Sequence, residues 1–473
     1  MSTADAPPAP GDRRIERDLL GELAVPADVH WGIHTARALD NFPLSGRRVH
    51  PELVRALLVV KRAAAETNRR IGALDAARAE AIVSACDDVA SGPLVDEIVV
   101  DALQGGAGTS LNLNVDEVVA NRAEEILGGK RGTYAQVDPI DHVNLHQSTN
   151  DTVPTALRIA AIRLLHRLEA SIARLQTAFQ AQETRWAHVV KMGRTELQDA
   201  TPIGFGAVFS AFAEALSRDR WRVSKCEERL RVVNLGGTAI GTAVTAPRDY
   251  VFQVVDVLRS MTGLGLARAE NLVDATQNLD AIVEVMGILE AHATNLFKIS
   301  SDLRLMASGP DAGFAEIRLP AVQEGSSLMP AKVNPVIPEA IGQMAIEVMG
   351  RGHMVRAAAQ SGQLELNPFV PLVADAFLGA LSLLEAADRV FAERCVEGIV
   401  VEEANVAATL ARSRAVATGL VAALGHRVAA EVAEAARAGG RSIGEEVAAR
   451  GLMEPEALER ALSSEAATAL GRR

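Results

Sequence analysis

The 473-residue sequence predicts an all-α protein built on long helices packed side by side. Ala, Leu, Val, Glu and Arg dominate and aromatics make up only 3% of the chain, a palette of strong helix formers with little of what strands favour. Apolar residues recur at alternating spacings of three and four along several stretches, which gives a helix one sticky seam. With 48% hydrophobic residues the chain can fill a large core, and its length exceeds the size at which chains usually divide into domains.

Taken in order, the first seam runs through Leu165, Leu168, Ile172, Leu175 and Phe179. Phe205 to Leu230 is a second helix, with Phe205, Phe209, Phe212, Leu216, Val223, Cys226 and Leu230 on its seam and a break near Asp219. A third seam joins Ile282, Met286, Leu289, Ala293, Leu296, Ser300 and Leu303, and a fourth joins Val373, Phe377, Ala380, Leu384, Ala387 and Phe391. Long helices laid side by side are the natural outcome. Val283, Val285, Ile288 and Phe297 lie off the third seam, so that helix needs partners on several sides, and other subunits can supply them. A large monomeric bundle is the alternative. Gly and Pro punctuation separates three regions. Residues 1–146 mix short helices with glycine breaks, residues 147–399 hold the long helices, and residues 400–473 form a small helical cap with starts at Ser442 and Glu454-Pro455.

Charge and cysteine content exclude several function classes. The net charge is -12, from 60 acidic and 48 basic residues, and no run of Lys or Arg offers a track for phosphates, so nucleic acid is not an expected partner. Cys86, Cys226 and Cys395 are an odd number at unrelated spacing and suggest neither a disulfide framework nor a zinc cluster. A reducing cytoplasm fits. Residues 1–12 are rich in Ala and Pro, lack a secretory h-region and read as a disordered tail. Apolar stretches elsewhere are interrupted by charge before the roughly 20 residues that a bilayer span needs, so no membrane is expected.

Four polar clusters could carry chemistry. In residues 325–335 (GSSLMPAKVNP), Gly and two Pro bracket a segment that cannot be regular helix, yet it holds Ser326, Ser327, Lys332 and Asn334. Two serines that cap a helix are the structural alternative, but Lys332 and Asn334 on the same loop favour a ligand. Upstream, Gly309, Gly313 and Gly325 supply hinge points for closure. The second cluster, Gln147 to Thr152 with Pro154, has more polar groups than capping a helix near Pro154 requires, and a helix N-terminus also receives carboxylates. The third, residues 104–114, has glycines that admit close backbone approach and donors at Thr109, Asn112 and Asn114, but no Lys-Ser/Thr for a P-loop. Residues 193–199, including Thr195 and Glu196, form the fourth and open the Phe205 helix; surface solvation is their simpler reading. His30 and His34 have ligand spacing but no third ligand, so no metal is assigned.

Together these clusters resemble the motif set of the aspartase/fumarase superfamily over nearly the whole chain. GSSLMPAKVNP is similar to the superfamily signature, and QGGAGTS (104–110), DHVNLHQSTND (141–151), GRTELQDA (193–200), LGGTAIGT (235–242) and LELN (364–367) follow in the family's order. Residues 14–21, 25–28 and 32–35 look like its opening. QGGAGTS, GRTELQDA and AKVNPVIPE lean to the aspartases, which release ammonia from L-aspartate to give fumarate. Fumarases usually carry histidine at the position of Glu196, and a glutamate there could favour a bound ammonium.

The resemblance implies three helical domains, a central bundle forming a multi-helix core in a homotetramer, and active sites built from loops of three subunits. It implies no cofactor and a small dicarboxylate substrate. Ser326 would be the base that removes the Cβ proton through an aci-carboxylate, and Lys332 and Asn334 would hold the carboxylate that gains charge. Thr109, Ser148, Thr149, Asn150, Thr195 and Glu196 would bind the rest of the substrate. Departures from the pattern include Asp311 for a common arginine, Thr245 for asparagine, Ala243 for glycine, Leu113 for methionine, and Pro368 after LELN. A class II fumarase, a lyase for a substituted aspartate, or a catalytically silent structural protein on this scaffold are the rival expectations.

Overall fold

In the computed structural model of the protein, residues 12–463 together with 465 and 466 are described. Apart from Asp12, the tail expected at residues 1–12 lies outside them. The chain opens with strands β1 (Arg13–Asp18) and β2 (Gly21–Pro26), followed by helices α1 (Ile33–Asn41), α2 (Pro51–Arg70), α3 (Ala76–Ser91), α4 (Thr109–Ile126) and α5 (Thr149–Arg185). A hairpin of β3 (Val190–Thr195) and β4 (Gln198–Gly204) leads into α6 (Phe205–Leu230). Next come β5 (Val232–Val233), α7 (Arg248–Thr262), β6 (Ala267–Arg268), α8 (Leu272–Gln277), α9 (Asp280–Met306) and β7 (Ile317–Arg318). After α10 (Val336–Ala359) and α11 (Val370–Arg394) follow β8 (Val400–Val401) and α12 (Glu403–Arg412). Short helices α13 (Val421–Leu424), α14 (His426–Gly439), α15 (Ile443–Ala449) and α16 (Pro455–Leu462) complete the order.

All four seams expected from the sequence lie on long helices, α5, α6, α9 and α11, and the seam residues are buried. Strands among the described residues pair only two at a time. The β3–β4 hairpin was not foreseen; its polar sequence reads as the run-in to α6. Two-residue hairpin loops usually announce themselves by Asn-Gly or Asp-Gly, because both central residues need positive φ. Here Glu196 and Leu197 take those positions at φ 52° and 62°, so the usual signal is missing.

Two compact units emerge. One holds the described residues up to Leu168 with Arg222–Glu290 and Glu347–Leu383; the other holds Glu169–Trp221, Ala291–Ile346 and the described residues from Leu384 onward. In the first, α2 packs on α3 and α7, and α3 on α4. Its interior is polar as well as apolar. Lys61 is fully buried, with Nζ 2.8 Å from both Asp116 Oδ1 and Asn144 Oδ1.

In the second unit, Phe179 of α5, Phe209 and Phe212 of α6 and Phe391 of α11 form an aromatic cluster. The break in the second seam at Asp219 now has a cause. His292 of α9 is fully buried between two carboxylates, 3.0 Å from Asp219 of α6 and 3.1 Å from Asp388 of α11, while Ser171 of α5 donates to Asp388. An apolar residue at 219 would leave this imidazole short of a partner, and a buried polar group without one is costly. Helix α11 with the turn after it, Val370–Gly398, is long and apolar enough to cross a membrane, contrary to the expectation that charge interrupts every such stretch. Its apolar residues Val373, Phe377, Leu381 and Leu384 are buried in the fold, which accounts for its hydrophobicity.

Burial opposes the charge on His292, but Asp388 and Asp219 outweigh it and push the imidazole up to about 10. Because the folded pKa is raised above 6.5, the network's stabilisation is complete below about pH 6.5 and is lost as pH rises towards about 10. Melting temperature should therefore fall across that window, and Asp388→Asn should shorten the fall by removing one attractive carboxylate. A wild-type melting temperature that stays flat there would contradict the assignment.

Candidate active site

The first unit carries the start of α5. Helix α5 begins at Thr149, five residues before Pro154, where the sequence placed its start, and the proline lies inside the helix. Proline has no N–H for the carbonyl four residues back. Asn234 supplies the missing donor, its Nδ2 lying 2.9 Å from the Asn150 oxygen. A reciprocal cap closes the end: the Ser148 hydroxyl accepts from the Asn150 amide at 3.2 Å, and the Asp151 carboxylate accepts from the Ser148 amide at 3.0 Å.

Asp151 also reaches the LGGTAIGT segment. Its second oxygen accepts from the amides of Gly236 (3.0 Å) and Thr238 (2.9 Å), and Asn150 Nδ2 donates to the Ala239 carbonyl at 2.7 Å. Residues 234–239 are thus the cradle of the Ser148–Asn150 turn. Burial pushes the Asp151 carboxyl up to about 6, against the pull of its three amide donors. Ala243 takes a positive φ of 56°, a conformation that glycine adopts freely.

Thr109 is the first residue of α4, exposed, with its hydroxyl donating to the Gly106 carbonyl at 2.6 Å. A Cβ on Gly108 would lie 3.1 Å from Val153, so glycine lets this turn approach the first turns of α5. Asn112 and Asn114 are not ligand donors, as the sequence suggested. Asn112 bonds Asp116 and Asn144 and accepts from Thr152, whereas Asn114 accepts from the Val99 amide and donates to the Glu97 carbonyl. Both are buried. Asn367 of LELN is likewise structural, donating to the last carbonyls of α10 and accepting from the Phe369 amide. His30 is outside any helix and meets Glu97 and Glu125 rather than pairing with His34.

The second unit carries Thr195 and Glu196 at the tip of the β3–β4 hairpin and Ser326, Lys332 and Asn334 on one loop. The amides of Leu328 and Met329 donate to Ser326 Oγ at 3.1 and 2.9 Å. No helix starts at this serine; the next, α10, begins at Val336. Helix capping therefore does not explain these donors. The loop closes on itself, the Gly325 amide donating to the Lys332 carbonyl at 2.9 Å and Asn334 Nδ2 to the Gly325 carbonyl at 2.6 Å. At Gly325 a Cβ would lie 2.4 Å from the Lys332 oxygen, so glycine is needed there for the close approach. Residues 321–333 curl round an open cavity of about 520 Å³, to which Ser326 and Lys332 both contribute. Lys332 is exposed, with no ion-pair partner among the described residues.

Comparison with known proteins places the chain in a family. A family model described as lyase matches residues 21–350. The aspartate ammonia-lyase of Bacillus subtilis (strain 168) is 44% identical over 430 residues, 91% of this chain and 90% of the relative. The chain belongs to the aspartase/fumarase family of lyases. Among solved structures, the cobalt-bound fumarate lyase:delta crystallin of Brucella melitensis superposes on this lyase with a TM-score of 0.92 at 45% identity, covering 95% of this chain and 98% of the other. The recombinant class II fumarase of Schistosoma mansoni gives 0.91 at 30% identity, covering 96% and 98%.

Sequence reasoning passed over Asn234 and read Asp151 and Thr238 only as members of their motifs, not as the residues that hold those motifs in shape. A proline five residues into a helix was their one local signal. Asp151→Asn would turn an amide towards backbone N–H groups and leave at least one buried donor unmet, at a cost of about 1–3 kcal/mol. Thermal or denaturant unfolding of the variant should show that loss, and unchanged stability would mean the stitch carries no weight.

Proposed function

We propose that this lyase catalyses the reversible removal of ammonia from L-aspartate to give fumarate. The relatives named as aspartate ammonia-lyases support the substrate; the observation that carries the chemistry is the pair of amides aimed at Ser326 Oγ on a loop that caps no helix. A serine hydroxyl is too weak a base unless its alkoxide is stabilised, and two backbone donors, with the Lys332 charge lining the same cavity, are groups suited to that.

In this reading the Ser326 alkoxide takes the Cβ proton of aspartate, and the C–H electron pair moves into the adjacent carboxylate as an aci-carboxylate. Stabilising that charge is the main catalytic task, assigned to Lys332 and Asn334. Asn334 Nδ2 faces the Gly325 carbonyl here, so it would exchange this bond for substrate. Collapse of the intermediate forms the double bond and breaks the Cα–N bond; the amine leaves as ammonia without a strong general acid. Thr109, Ser148, Thr149, Asn150 and Thr195 would share the remaining carboxylate and the amino group, with Glu196 favouring its positive charge. A homotetramer with sites drawn from three subunits completes the proposal. Phe297, 40% exposed on α9, is the kind of apolar surface such assembly would cover.

Two variants test the roles. Ser326→Ala should fold and lose about 100-fold to 10,000-fold in kcat, the usual contribution of a positioned base; near-normal turnover would remove Ser326 as the base. Lys332→Ala should raise KM for aspartate sharply, and an unaltered KM would take it out of the carboxylate site. Incubation with aspartate and with malate, following fumarate by absorbance, separates the ammonia-lyase from a fumarase. Turnover of malate alone would replace the proposed substrate.

A further inference from the structure

We infer that Arg194 is a positioning residue that sets the hairpin of Thr195 and Glu196 against the stem of the Ser326 loop, an inference that rests on the lyase mechanism proposed above. Arg194 directly precedes Thr195, yet its side chain turns away from the hairpin tip. Its guanidinium donates to Glu316 Oε1 and lies over the ring of Phe314, 4.3 Å from the centroid. Glu316 is 1% exposed, and Lys191, from the same strand β3, places Nζ 2.5 Å from its other oxygen as an ion pair. Two cations of one strand therefore grip one buried carboxylate.

The backbone around that carboxylate is held from other sides too. The Glu316 amide donates to the Met306 carbonyl and its carbonyl accepts from the Glu402 amide, each at 2.9 Å, while Asn405 Nδ2 donates to the carbonyls of Phe314 and Ala315 at 2.8 Å. Nine residues further on, Gly325 begins the self-closed loop that carries Ser326. Where that loop can sit relative to Thr195 is set by this stem, and Arg194 is the residue that touches the stem through both charge and ring. Lysine could keep the charge but neither the planar fork nor the stacking. A misplacement of about 1 Å from a mutation away from the chemistry can cost on the order of 100-fold in rate.

The full-length enzyme with Arg194→Lys, Phe314→Leu and the double variant tests the inference. Arg194→Lys should lower kcat for aspartate by about 10-fold to 100-fold, with KM changing much less, and remain folded by thermal melting. The double variant should be hardly worse than Arg194→Lys, because both changes release the same clamp. Trypsin should cut after Lys332 several-fold faster in Arg194→Lys, a readout independent of activity. Unaltered kcat and cutting rate, or losses that multiply in the double variant, would overturn the inference, as would a kcat loss matched by loss of folded protein. Ser326→Ala serves as the control for the underlying mechanism. If it stays active, that mechanism fails and cutting after Lys332 alone judges the clamp; if it is inactive while Arg194→Lys is normal, only the clamp fails.

Discussion

Irregular backbone in this lyase is held by buried carboxylates that accept main-chain N–H groups. Asp151 takes the amides of Ser148, Gly236 and Thr238; Glu117 takes those of Gly32, His34 and Thr35; Glu124 takes those of Gln136 and Val137. Each of these segments is a turn or a helix start, where donors have no partner of their own. A carboxylate offers two oxygens and several acceptor directions, so one side chain can fix two or three residues of loop. Burial raises the pKa of Asp151 and Glu117, and the amides work against that rise.

The same logic divides the polar motifs into groups that shape and groups that face outward. Within 104–114, Asn112 and Asn114 are consumed by internal bonds, while Thr109 is left at the surface at the head of α4. Within 147–152, Asp151 and Thr152 point inward and Ser148 and Asn150 are half-buried. Glu316 repeats the theme in the other unit with cations in place of amides. Under the proposed mechanism the Ser326 loop must present a hydroxyl in one place, and such fixed supports beneath it serve that end.

Helix content and the limits of α6 were legible in the chain because a seam of apolar residues is a local pattern. The second seam ends at Leu230, where α6 ends, and even its flaw at Asp219 marked a real polar contact. The hairpin at 190–204 was not legible, since Glu196 and Leu197 adopt left-handed backbone without the residues that normally signal it. Nor was the start of α5, because the donor that lets Pro154 lie inside the helix comes from Asn234, eighty positions away.

By itself, then, the sequence determined the all-α class, four of the long helices and the motif order that places the chain among the aspartase/fumarase lyases, because each is written in short-range spacing or in strings of residues. Tertiary structure alone decided how far each member of those strings is enclosed. Asn112 and Asn367 look no different from Asn150 or Asn334 in a row of letters. All four bond other parts of the chain, but Asn112 and Asn367 are buried while Asn150 and Asn334 stay half-buried, and packing between distant segments leaves no trace in local composition.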